Sequence, residues 1–165
     1  MKAPRIISIV GRSDSGKTTL ILKLLPGLQK RGRRVAVAKH CPRGFDLDHK
    51  GKDSFKFSQA GSKGVFLSSA DSLALVRPKK APFDLKQLLR ESFCDFDIVL
   101  TEGYNDAADI KKIQVFRSEI GGEVFESDTI IAYVSDTPLT TDKPVFQSED
   151  IEGIISFIED YDEEK

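Results

Sequence analysis

The sequence has little of what marks an exported or membrane-spanning chain. Its 165 residues hold only two cysteines, Cys41 and Cys94. They lie far apart and form no C-x-x-C pair, the usage of a reducing compartment in which thiols stay free. Long hydrophobic runs are missing too. Runs such as Ile6–Val10 and Ile98–Leu100 fall well short of the ~20 residues of a membrane span. The apolar stretch behind the N-terminal Met-Lys-Ala-Pro-Arg is broken by Gly11-Arg12 before it reaches the length of a signal-peptide core. A cytoplasmic location is expected. No internal repeat, low-complexity segment or linker marks a second domain.

Net charge is nearly absent as well, at −1, but it is unevenly laid out. Residues 1–52 carry 13 Lys/Arg against 3 Asp/Glu, and the remaining 113 carry 12 against 23. Aromatic residues do not interleave with the basic ones, so a nucleic-acid surface is not expected. The asymmetry suits one phosphate-handling face on an otherwise acidic protein. With 39% hydrophobic residues, a chain of this length buries about two-thirds of its unfolded surface and needs neither disulfide nor structural metal. One domain over 1–165 is expected, with an acidic tail from Glu159 that frays.

The pattern alternates strand and helix. Arg5 to Gly11 is a short apolar run, and Lys17 to Arg31 places Leu20, Ile21, Leu24, Leu25 and Leu28 at helical spacing up to Gly32. Pro26-Gly27 inside that helix predicts a kink. Arg34–Lys39 reads as a second strand, parallel to the first through a right-handed crossover. A polar loop from His40 to Asp53 leads to a short helix ending at Ala60. Two strands follow near Gly64–Ser68 and Leu73–Arg77, an antiparallel or edge pair. Asp84 with Gln87 forms a capping box for a helix through Phe93, and Phe96–Thr101 is a central buried strand. Strands at Lys112–Arg117, Thr129–Val134 and Val145-Phe146 precede a last helix, Glu149–Asp160, capped by Ser148. The fold class is α/β: a mostly parallel sheet between helical layers.

One motif carries chemistry. Gly11-Arg12-Ser13-Asp14-Ser15-Gly16-Lys17-Thr18 fits G-x-x-x-x-G-K-[ST] between a strand and a helix, the phosphate-binding P-loop of a three-layer NTPase sandwich. Gly11 and Gly16 let the backbone turn, so that the N–H groups of Ser13, Asp14, Ser15 and Gly16 face a phosphate chain at a helix N-terminus. Lys17 is placed to reach the β- and γ-phosphates, the Thr18 hydroxyl to ligate Mg²⁺, and Thr19 to contact the α-phosphate. Glu102, closing Ile98–Gly103, is the acid expected to hold the magnesium ion directly or through water. Gly103 brings backbone close to the γ-phosphate. Asp48, in the loop after the second strand, is a third metal or water-positioning candidate. Lys17, Glu102 and Asp48 thus make up the candidate catalytic set. His40, Cys41 and His49 are potential metal ligands, but their spacing is not that of a zinc site. Asp136, after the strand ending at Val134, can accept both N–H groups of guanine, an edge that adenine lacks; a turn-forming role before Thr137-Pro138 is the other reading.

The order of pieces narrows the assignment. The P-loop is followed by Val35-Ala-Val-Ala-Lys-His40, then Phe45-Asp-Leu-Asp-His-Lys-Gly-Lys-Asp-Ser54, then Ile98-Val-Leu-Thr-Glu-Gly-Tyr104. Over residues 5–117 this resembles MobB, the molybdopterin-guanine dinucleotide biosynthesis protein B family of small P-loop GTP-binding proteins. The resemblance implies a homodimer that binds GTP with Mg²⁺ and hydrolyses it weakly. It further implies contact with molybdopterin or its guanine dinucleotide, and an accessory role beside MobA, the enzyme that transfers GMP to the cofactor. Slow hydrolysis fits the residues: no arginine finger or water-positioning glutamine is evident, and Arg12 is the candidate contributor. Two other readings use the same loop. A small-molecule kinase would need a phosphate lid, for which Arg77, Lys79 and Lys80 are the comparable cluster. A metal-delivering GTPase would use His40, Cys41 and His49.

Overall fold

A computed structural model describes residues 3–45, 51–78 and 83–161. In chain order the elements are β1 (Arg5–Val10), α1 (Lys17–Lys30), β2 (Val35–Lys39), α2 (Asp53–Gln59), β3 (Val65–Ser68) and β4 (Leu73–Val76), then α3 (Leu85–Ser92), β5 (Ile98–Glu102), β6 (Lys111–Phe116), β7 (Ile130–Ser135), β8 (Val145–Phe146) and α4 (Ile151–Asp160). The chain divides into two compact units, one made of the segments up to His40 and from Leu85 onward, the other of Cys41–Asp84.

The first unit holds a six-stranded sheet in the order β2-β5-β1-β6-β7-β8, with every neighbouring pair parallel. Both faces of this sheet are covered, which is why its central strands read as nearly unbroken apolar runs. Side chains alternate along β1. Ile7 and Ile9 pack with Leu20, Leu24 and Leu28 of α1 and Ile154, Ile155 and Ile158 of α4. On the opposite face Ile6 joins Val99, Leu85 and Leu89, and Val10 packs with Ile130 and Tyr133. The crossover from β1 through α1 to β2 is present, but β5 is inserted between its two strands. Because β2 and β5 fill one side of β1 and β6, β7 and β8 the other, the carboxyl end of β1 is the switch point where ligands of open α/β sheets collect.

Helix α1 continues through Pro26, which is exposed. Leu22, whose carbonyl loses its helical donor there, is exposed too, so the missing bond falls on the side where water can replace it. The cap of the last helix differs from expectation. Asp150, not Ser148, accepts the Gly153 N–H at 3.0 Å, while the Ser148 hydroxyl donates to Glu149 at 3.3 Å; both residue types cap well, and the helix opens two residues later than its acidic start suggests. Nor does the chain fray from Glu159. That side chain is only 12% exposed and accepts from Arg31 at 2.7 Å and Arg33 at 2.6 Å. Residues 162–165 lie outside those described.

The second unit contains α2, which buries no side chain, and the antiparallel pair β3–β4 as a separate two-stranded sheet. Phe66, Leu73 and Leu75 share one face of that hairpin, each more than half exposed, at 61%, 73% and 56%.

Candidate functional site

The loop between β1 and α1 is shaped by close approach. A Cβ on Gly11 would collide with the Val115 carbonyl oxygen of β6 and stand 2.9 Å from the Ser15 hydroxyl, and Gly11 has φ +138°. Gly16, the residue before α1, has φ +97°, which a side chain would strain. Asp14 takes the left-handed conformation at φ 63°, a state that aspartate tolerates better than most residues. The loop closes tightly on itself, the Ser15 N–H donating back to the Arg12 carbonyl at 3.3 Å. Ser15 is 2% exposed, and its hydroxyl is, among the described residues, the buried side-chain polar atom without a hydrogen-bond partner. An orphan hydroxyl inside a glycine-framed cradle at a helix N-terminus fits an anion, because phosphate oxygens accept what the loop leaves unpaired. Ser13 and Thr19 are exposed on the same loop and first helical turn.

Lys17 and Thr18 open α1. The Lys17 ammonium donates to the Arg12 carbonyl. Burial holds it below its ordinary pKa, against the attraction of Glu102 and Asp14. The Thr18 hydroxyl donates to Glu102 Oε2 at 2.8 Å, and Lys39 Nζ, from the end of β2, meets Glu102 Oε1 at 3.0 Å. Burial would raise the Glu102 carboxyl, but hydrogen bonds from Lys39 and Thr18 and the charges of Lys39 and Lys17 outweigh it, and its pKa is lowered. The threonine hydroxyl and the ionised carboxylate are hard oxygen donors at hydrogen-bond distance, a pair suited to a magnesium ion that keeps most of its water.

The strand end that carries Glu102 is braced from within the sheet. The buried Thr101 hydroxyl donates to Ser8 Oγ at 2.8 Å, and Ser8 donates to the Gly103 carbonyl at 2.5 Å. Gly103 N–H returns to the Ile9 carbonyl at 3.0 Å, and His40 N–H to that of Glu102 at 2.9 Å. The rings of His40 and Tyr104 stand 5.0 Å apart, so His40 packs beside this turn.

Asp136 follows β7, two strands from β1. Both of its oxygens are engaged: Ser118 N–H donates to Oδ1 at 3.0 Å and Ser118 Oγ–H to Oδ2 at 3.2 Å. The Ser118 N–H is the largest cause of its lowered pKa, with the Ser118 hydroxyl and the Arg117 charge contributing. Ser118 thus presents two adjacent donors to Asp136, the same complement that guanine offers. The Arg12 guanidinium donates to the Ile120 carbonyl at 3.4 Å. Asp48, His49, Lys79 and Lys80 lie outside the described residues. The sequence places Lys39 in a mixed-charge loop at the carboxyl end of its strand without giving it a role, and sequence reasoning missed Ser8, Ser118 and Arg117 as parts of this edge. The signal for two of them was available, since Arg117 and Ser118 stand just beyond a strand carboxyl end. Ser8 sits inside a strand and gave none.

A family model described as MobB, molybdopterin guanine dinucleotide synthesis protein B, matches residues 6–136. The chain is 33% identical over 159 residues to the molybdopterin-guanine dinucleotide biosynthesis adapter protein of Escherichia coli (strain K12), covering 93% of this chain and 90% of that one. It is 34% identical over 158 residues to the protein of the same name from Haemophilus influenzae, covering 94% and 88%. A crystal structure of molybdopterin-guanine biosynthesis protein B superposes with a TM-score of 0.72 at 32% identity, over 93% of this chain and 97% of that one. Bacillus subtilis MobB, at 23% identity and TM-score 0.72 over 92% and 96%, shares the fold. Among the described residues no helix is long and apolar enough to cross a membrane. With a glycine-framed loop between β1 and α1, a Thr18–Glu102 pair beside it and a match along most of its length, this chain belongs to the MobB family.

Proposed function

We propose that this protein is an adapter in molybdopterin guanine dinucleotide biosynthesis that binds GTP with Mg²⁺, as its relatives' names and its own loop suggest. The observation that carries the reading is the Thr18–Glu102 hydrogen bond of 2.8 Å next to Lys17, which sets two magnesium-type donors and a phosphate cation at one helix start. Lys17 neutralises the terminal phosphates, Thr18 and Glu102 hold the ion, and Asp136 exchanges its Ser118 donors for those of guanine. When bound, Mg²⁺ supplies charge neutralisation between the outer phosphates. With neither an arginine finger nor a water-positioning glutamine assigned, turnover is slow, and the protein acts by presenting nucleotide or cofactor to MobA. The exposed face of Phe66, Leu73 and Leu75 supports a homodimer formed through the second unit, since an uncovered apolar hairpin tends to pair.

The test is calorimetric titration with GTP, GDP and ATP in Mg²⁺. Tighter binding of GTP than ATP, lost in Lys17→Ala, is expected. A wild-type protein that binds none of the three overturns the reading.

A further inference from the structure

β6 ends at Phe116, and the next residue turns its side chain toward the phosphate loop. Arg117 Nη2 and Nε lie 3.7 and 3.8 Å from where a Cβ on Gly16 would stand. The residue is half-buried. Three other arginines of this unit are engaged, Arg5 on the carbonyls of Ile158 and Glu159, Arg31 and Arg33 on Glu159. Among the described residues the Arg117 guanidinium has no comparable hydrogen bond or ion pair. Asp136 and Glu149 feel its charge from a distance, Asp136 mainly held by Ser118 and Glu149 by Lys23. A cation without a direct hydrogen-bond or ion-pair partner therefore stands against the positive end of α1, on the same helix start as Lys17. Like charges gathered in a partly dry place repel one another. Such an arrangement is favourable when an anion sits among them.

Strand order says which anion. Across the carboxyl edge of the sheet the sequence is Glu102 on β5, the loop after β1, Arg117 after β6 and Asp136 after β7. A nucleotide whose outer phosphates lie toward Glu102 and whose base lies toward Asp136 brings its nucleoside-proximal phosphate opposite Arg117. We infer that Arg117 binds the α-phosphate of the nucleotide, as a ground-state anchor common to di- and triphosphates and not as a finger on the terminal phosphate. This rests on the nucleotide-binding reading above. The planar guanidinium can place two N–H groups on one phosphate, which lysine cannot.

The experiment is calorimetric titration of the full chain with GTP and GDP in Mg²⁺, for wild type, Arg117→Gln and Arg117→Lys, each checked for folding by circular dichroism. Arg117→Gln is expected to weaken GTP and GDP by the same factor, roughly 10- to 100-fold, with Arg117→Lys between it and wild type. Three results overturn the inference: unchanged affinity in a folded Arg117→Gln; a loss confined to GTP, which moves the arginine to the terminal phosphate; and full rescue by Arg117→Lys of a deficit in Arg117→Gln, which leaves only a diffuse charge effect. Failure of wild type to bind either nucleotide removes the nucleotide reading itself and this one with it, an outcome distinct from wild-type binding that the variants leave intact.

Discussion

Replacing Gly27 with alanine sets two effects of known sign against each other. In an exposed helix interior, alanine in place of glycine gains up to ~1 kcal/mol from reduced backbone entropy in the unfolded chain. Gly27 is not in an exposed interior. It lies on the side of α1 that faces α4, and an added Cβ would collide with Ile155 Cδ1, a side chain that is fully buried. Overpacking a tight core costs about 1–3 kcal/mol, so the clash should cancel or exceed the gain and Gly27→Ala should destabilise by ~0–2 kcal/mol. The partner change separates the terms. Ile155→Val deletes the obstructing methyl and alone costs about 0.5–1.5 kcal/mol. In the double variant the alanine methyl enters the space that Cδ1 vacates, and stability should return to within ~0.5 kcal/mol of wild type. At the midpoints of these ranges the coupling from the cycle is favourable by ~2 kcal/mol. Urea unfolding followed by circular dichroism reads all four proteins, with unchanged m-values as the check on a two-state comparison. A Gly27→Ala variant stabilised by the full ~1 kcal/mol, with additive effects in the double variant, would refute the claim that glycine is required here for helix approach.

Other expectations concern the site and its acid response. Glu102→Gln keeps a hydrogen-bond acceptor for Thr18 but loses the charge, so the gain in GTP affinity on adding Mg²⁺ should fall roughly 10- to 100-fold; titration with and without the ion measures it. Asp136→Asn replaces one acceptor oxygen by a donor, and the ratio of GTP to ATP affinity should fall toward unity in parallel titrations. Hydrogen bonds from Arg33 and then Arg31 hold the Glu159 carboxyl below its ordinary range. A depressed folded-state pKa contributes stability fully above the unfolded value of about 4.3 and loses it as pH falls through the folded value. The urea midpoint should therefore drop between pH 6 and pH 3, and less steeply in Glu159→Gln.

Local chemistry was legible in the sequence wherever residue type forces geometry. The tight loop between β1 and α1 was readable because glycine, lysine and threonine at fixed offsets between a strand and a helix admit few other structures. Glu102 was readable because an acid at the end of an apolar strand has no packing reason to be there. Features that depend on which strands become neighbours were not readable. Arg117 looks like an ordinary solvated strand end until β6 lies beside β1, and Ser118 becomes the partner of Asp136 only because β6 and β7 are adjacent. Glu159 belonged by composition to an acidic tail, whereas its contacts reach back to Arg31 and Arg33 across most of the chain. The insertion of β5 between β1 and β2 is likewise a decision of the whole sheet, which no local pattern carries.

The Lys39–Glu102–Thr18 triad gives the loop a built-in counterion. The Glu102 carboxylate has a cation on one oxygen and a hydroxyl donor on the other, so the acid at the end of β5 carries a counterion supplied by the neighbouring strand. If the site holds Mg²⁺ as proposed, the ion would take the place of the Lys39 ammonium and not meet a bare carboxylate. Its binding would then be a trade of one positive partner for another, weaker than the attraction of an unpaired charge.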